Sequence, residues 1–162
     1  MENSYQFIID GIIPATQQAF KKVTGFDHYV RKNESAAVAT FKSVVTEQIT
    51  RERPPTTFPT TNSVYVAIIQ FFTSNRDNYQ TRDVDNMAKT VLDALQQSNL
   101  YTNDSQVRTL LVSKRVDLVR VPQDLGYVYI KVLEDGEDID IIDDALEQAL
   151  QLYDSLKAGE VE

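Results

Sequence analysis

The chain contains no cysteine and no tryptophan, a single histidine, and only five glycines and five prolines in 162 residues. Without cysteine there are no disulfides, no thiol nucleophile and no cysteine-ligated zinc. One histidine, His28, cannot make a His-Glu-x-x-His zinc site, which needs two. A serine-histidine triad would depend on that one residue, and no Gly-x-Ser-x-Gly elbow accompanies it. His28 therefore reads as a surface or packing residue. No Walker-type glycine loop occurs, so no nucleotide cofactor is expected. No apolar run approaches the ~18 residues that a membrane span requires. The opening Met1-Glu2-Asn3-Ser4-Tyr5 lacks the basic and apolar regions of a signal peptide, and a cytoplasmic location is expected.

With 42% hydrophobic residues, the length suits one domain with a substantial core. The net charge of -8 is unevenly spread. Residues 134–162 carry 11 acidic and one basic residue, leaving 13 acidic and 15 basic in residues 1–133. The acidity belongs to the tail, and the body can approach a polyanion.

Tyr5 to Ile13 is rich in β-branched and aromatic residues and reads as a first strand ending at Pro14. A long connection follows, with Lys21, Lys22, Arg31 and Lys32 interleaved with Phe20, Phe26 and Tyr29. That mixture suits a surface tracking phosphates and bases, and equally an ordinary surface loop. Asn33 or Ser35 can cap a helix to about Glu52, with Ala37, Phe41, Val44, Val45, Gln48 and Ile49 on its buried side. Val64 to Thr73 is continuously apolar and predicts a central strand covered on both faces. Ser74 to Arg82 reads as a polar loop bearing Arg76 and Arg82. Val107 to Val119 is a long strand whose Leu110, Val112, Val116 and Leu118 point one way and whose Lys114 breaks the apolar row, either aiming at the site as a candidate DNA contact or snorkelling to an edge. Tyr127 to Leu133 is the last strand, and Ile139 to Lys157 an acidic amphipathic helix. The expected fold is α+β: a mixed sheet of about four strands in residues 1–133 with helices packed against it, and residues 134–162 as an added C-terminal helix and tail of the same domain.

The most informative stretch is 82–106. Asp83 is a good N-cap type and Asp85 suits the positive end of a helix dipole. Met87, Ala88, Val91, Leu92, Ala94 and Leu95 fill one half of the helical wheel, while Asp85, Lys89, Asp93 and Gln96 line the other. Asp85 and Lys89 are four residues apart, and Asp104 returns after a short loop. Two or three carboxylates near a lysine suit a hard divalent cation and charge on a phosphate. By pattern alone the same residues are also ordinary features of a solvated helix. A calcium loop is excluded, because Ala88 stands where its glycine belongs and Ala94 where its bidentate glutamate belongs. A second acidic run, Asp138 to Asp144, fails in the same way.

The run Asp83-Val84-Asp85-Asn86-Met87-Ala88-Lys89, then Leu92-Asp93-Ala94-Leu95, then Asn103-Asp104-Ser105-Gln106-Val107, resembles the signature of the RusA-type Holliday junction resolvases. The family pattern is Asp-x-Asp-Asn, a lysine four residues after the second aspartate, Asp-Ala-Leu one turn on, and Asp-Asp-x-Gln opening the next strand. Asn103 departs from it. The resemblance implies metal ligation by Asp83, Asp85 and Asp104, catalysis by these with Lys89, and supporting roles for Asn86 and for Asp93, which could orient Lys89. It further implies magnesium, or manganese in its place, as cofactor, four-way or otherwise branched DNA as substrate, and a homodimer making paired nicks. Arg82 adjoins the acidic pair and is the better candidate of the two loop arginines for a phosphate contact. The implied setting is a bacterial or phage-encoded protein. The competing expectation is a non-catalytic branched-DNA-binding protein of the same fold, moderated by its acidic tail.

Overall fold

In the computed structural model, the described residues are 3–14, 20–22, 29–31, 35–73, 76–119, 125–134, 150–155 and 158–159, with the backbone alone for 20–22, 29–31 and 76–78. The central strand is β4 (Val64–Phe72), flanked by β5 (Val107–Val116) in parallel and β6 (Gly126–Glu134) in antiparallel pairing. β1 (Ser4–Asp10) pairs antiparallel with β6, giving the order β1-β6-β4-β5. This is the expected mixed four-stranded α+β sheet. A separate hairpin, β2 (Phe20–Lys22) with β3 (Tyr29–Arg31), lies within the connection after β1.

Two helices cover one face. α1 (Ala36–Glu52) starts where the Ser35 hydroxyl accepts the Val38 N–H, and ends at Arg53 in the left-handed region just before Pro54-Pro55. Its buried stripe is Val38, Phe41, Val45 and Ile49. Ala37 and Val44, expected on that stripe, face solvent, because the stripe follows the 3–4 spacing from Val38. α3 (Val84–Gln97) buries Met87, Ala88, Thr90, Val91, Ala94 and Leu95 against α1 and the sheet. Val64, Val66 and Ile68 of β4 are fully buried beneath them, each such side chain stabilising by about 1.5–3 kcal/mol. The opposite face of β4 is only half covered: Tyr65, Ile69 and Phe71 keep some exposure, and Phe71 stacks on Tyr127 at 4.6 Å. The expectation of complete cover on both faces is corrected accordingly.

Residues 76–81, expected as loop, form a short helix, α2 (Arg76–Thr81). In β5, Leu110, Val112, Lys114 and Val116 share the helix-covered face, as their pairing with Val66, Ile68, Gln70 and Phe72 requires. Leu110 and Val116 are nonetheless 40% and 57% exposed, and the strand stops before Leu118. β5 is an edge strand, so the helices cover it incompletely. β1 stops at Asp10, before Gly11 at φ 121°. Of the expected C-terminal helix, residues 150–155 are helical, with Leu150, Leu152 and Tyr153 exposed; residues 139–149 and 156–157 lie outside the described residues. No helix among the described residues is long and apolar enough to cross a membrane.

Candidate active site

β4 and β5 run parallel, so the chain between them must cross back over the sheet, and α3 makes that return. The two acidic turns therefore lie at opposite ends of the helix. Its 14 residues at about 1.5 Å each span about 20 Å.

At the first end, Asp83 occupies the N-cap position in extended conformation, and its carbonyl accepts the Met87 N–H at 3.1 Å. Its carboxylate makes no capping bond. A capping aspartate commonly contributes about 1 kcal/mol, which α3 forgoes. Asp83 and Asp85 are both exposed, and Asn86 is half-buried one residue on. The backbone leading to them is held from two sides. The Arg82 Nε donates to the Ile13 carbonyl at 3.1 Å, and the Lys114 ammonium donates to the carbonyls of Tyr79 and Arg82, each at 2.9 Å. Ile13 is itself fixed, its N–H donating to the buried Gln70 side chain at 2.8 Å.

The second end is built on a 3₁₀ turn, Asp104–Gln106. Asn103 caps it by accepting the Ser105 N–H on its side-chain oxygen, while the Gln106 side-chain oxygen Oε1 accepts the backbone N–H groups of Thr102 and Asn103, both at 2.9 Å. This reciprocal capping gives residue 103 a local role that needs no metal. The Gln106 amide also donates to the carbonyls of Thr60 and Asn62. The Thr60 hydroxyl and the Asn62 amide in turn donate to Glu134, as does Asn3. Those bonds hold the Glu134 carboxyl below its ordinary range, with the Asn62 and Asn3 amides as the largest causes. Asp104 is exposed on this braced turn.

Between the ends, Lys89 lies 3.9 Å from Asp93 on the next turn, so its described ion pair is with Asp93 and not with Asp85. Asp93 is shared with Lys42 of α1 at 3.7 Å. The Lys42 side chain is only 12% exposed, whereas that of Lys89 is 64% exposed and can meet an incoming anion. Tyr101 is fully buried and donates to the Leu92 carbonyl at 2.8 Å. Burial first, and then the carboxylates of Asp104 and Asp93, push its hydroxyl far up from its ordinary pKa. The tyrosine therefore stays neutral, a hydrogen-bonded strut between α3 and the loop that carries Asp104.

Among the described residues no group of three or more histidine, cysteine, aspartate or glutamate side chains is arranged to hold a metal ion. The donor chemistry of Asp83, Asp85 and Asp104, all oxygen and all exposed, fits a hard divalent cation. The single chain does not bring the three together, because α3 separates the first two from the third. Asp93 sits with Lys42, Lys89 and Tyr101, a position suited to orienting Lys89.

Of the proposed DNA contacts, Lys21 and Lys22 fall on β2 and Arg31 on β3, with the backbone described. Arg76 opens α2, its side chain outside the described residues, as are Lys32 and His28. Arg82 spends a donor on the Ile13 carbonyl, and Lys114 one on the Arg82 carbonyl next to Asp83. Sequence reasoning missed Lys42, whose position on α1 gives no local sign of a partner on α3. It also missed the brace around Gln106, for which the Asn103-x-x-Gln106 spacing was an available signal.

A search of curated proteins finds no match to the chain. A family model, Endodeoxyribonuclease RusA, matches residues 11–123, a span that holds both acidic turns, the helix between them and every basic residue considered above. With more than two thirds of its length matched, and the four-stranded α+β sheet to go with it, the chain belongs to the RusA endodeoxyribonuclease family.

Proposed function

We propose that this protein is a magnesium-dependent, structure-specific endodeoxyribonuclease that resolves four-way DNA junctions as a homodimer. The observation that carries this reading is the family match over residues 11–123, taken with exposed carboxylates at both ends of α3. Asp83 and Asp85 of one chain would supply two oxygen donors, and Asp104 of the partner subunit would supply the third. A twofold arrangement running two α3 helices antiparallel would bring one chain's first acidic turn to the other's second. The open edge of β5, along which no described strand pairs, offers one place for such a contact.

A divalent ion at that site would activate water and polarise the scissile phosphate. The protein's own contributions are distinct. Asp83, uncommitted to capping, is available as a ligand on a turn fixed by Lys114 and Arg82. Lys89, paired with Asp93 and largely exposed, would offer an ammonium to the charge that builds on the phosphate oxygens. Basic residues of the body bind the DNA backbone, and two sites related by the dimer axis suit two nicks in strands of like polarity.

The test is cleavage of four-way, forked and linear duplex DNA with and without magnesium, by the wild-type protein and by Asp85→Asn. Junction cutting that needs the metal and is lost in Asp85→Asn supports the proposal. Junction binding without cutting in any divalent metal would instead establish a non-catalytic branched-DNA-binding protein. Equal cutting of duplex and junction would leave a nuclease without structure specificity.

A further inference from the structure

We infer that Lys114 is a positioning residue for Asp83 and not a contact to DNA. This rests on the reading of Asp83 as a metal ligand given above. Lys114 lies on β5 opposite Gln70, near the end of β4 from which the chain leaves toward α2. Its side chain is half-buried, and its ammonium meets three groups at once: the Tyr79 carbonyl, the Arg82 carbonyl and the face of the Tyr79 ring, 4.3 Å from the centroid. The ring is itself seated edge-on against the buried Phe72 at 5.6 Å, so the cation docks on an anchored surface.

Each contact follows from a local need. The Tyr79 carbonyl belongs to the last turn of α2, where carbonyls have no helical partner and a cation is favoured. The Arg82 carbonyl belongs to the peptide that carries the Asp83 N–H, so a donor fixed on it sets the plane from which Asp83 projects. A compact ammonium with three rotatable donors can serve two carbonyls and a ring face together, whereas a planar guanidinium presents its donors as a rigid fork. Moving this ammonium to a phosphate would strip two carbonyls of their charge-assisted bonds.

The test compares wild type, Lys114→Met and Lys114→Arg in the full-length protein, using manganese as the probe metal. Calorimetry measures manganese affinity without DNA, hydrogen exchange follows the segment 79–87, and four-way-junction binding is titrated against salt in EDTA. The positioning role predicts that both variants lose about tenfold in manganese affinity, as loss of a support behind a metal ligand does. It also predicts faster exchange over 79–87, with the salt slope of junction binding unchanged. Retained manganese affinity and exchange in Lys114→Arg would overturn the inference, as would a salt slope reduced by about one unit in Lys114→Met, the signature of a lost phosphate contact. Should Lys114→Met fail to fold, Lys114→Arg decides alone, because it keeps the charge that a DNA contact needs and changes the geometry that positioning needs. If the wild type binds no manganese, the metal reading of Asp83 falls, and the exchange data still decide whether Lys114 holds the turn.

Discussion

Gln70, wholly buried in the central strand, accepts the backbone N–H of Ile13 through its side-chain oxygen at 2.8 Å. Its amide nitrogen donates to the carbonyls of Gly11, Phe71 and Tyr127. One polar side chain thus ties β4 to the segment after β1 and to β6, and the carbonyl of Ile13 then receives Arg82 just ahead of Asp83. The core and the candidate site share this network. Gln70→Leu removes the acceptor of the buried Ile13 N–H and the donor to three carbonyls, and is expected to cost about 2–4 kcal/mol. Urea denaturation measures the loss, and cleavage activity is expected to fall with it.

Gly126 leaves no room for a side chain. A Cβ there would stand 2.2 Å from the Phe71 carbonyl oxygen, a contact with backbone that no rotamer relieves. Gly126→Ala is expected to destabilise by about 3 kcal/mol or to abolish soluble expression. A thermal melt comparable to wild type would show that β6 can shift away from β4.

Acid should loosen the end of the sheet that carries Asp104. Glu134 is held below its ordinary carboxylate value of 4.5 by the amides of Asn62 and Asn3. A carboxyl whose pKa is lower folded than unfolded contributes stability at pH values above the unfolded pKa. That contribution is lost as pH falls from about 4.5 through the depressed folded value. Glu134→Gln is expected to be less stable than wild type at neutral pH, with the difference shrinking below pH ~4.5. Denaturation midpoints between pH 3 and 7 check both halves of the statement.

Subunit mixing tests whether the two acidic turns cooperate between chains. Asp85→Asn and Asp104→Asn are each expected to be inactive alone. In a mixed dimer, a site built across the interface pairs Asp85 of one chain with Asp104 of the other, so one of its two sites is intact. Random exchange then restores about a quarter of wild-type sites, and these nick without a paired second cut. No recovery on mixing would mean that each site is built within one chain.

Much of this architecture was legible beforehand. α3 announces itself through the spacing of Met87, Val91 and Leu95, and α1 through Ser35 and the Arg53-Pro54-Pro55 stop. α2 was missed because six residues, Arg76 to Thr81, are too few and too polar to show a period. The exposure of Leu110 and Val116 was hidden, since alternation reports a face and not whether anything covers it. The expectation that Asp83, Asp85 and Asp104 share one ion rests on the resemblance, since the three belong to a turn, a helix and a later loop. With β4 and β5 parallel, α3 runs between the two acidic turns, and the strand-helix-strand order already contained that constraint. Lys114 was read as a side chain escaping to solvent, although an ammonium beside the end of a short helix and an aromatic ring has reasons to stay.

The length of α3 carries a last implication for how the protein would behave in a cell. If no single copy owns a complete set of ligands, then dilution is an off switch: a lone chain meeting DNA has half of two sites and all of neither. Cutting would then begin only where enough copies accumulate to join, and a stray nick in an undamaged genome would be guarded against by stoichiometry before any recognition of branch shape came into play.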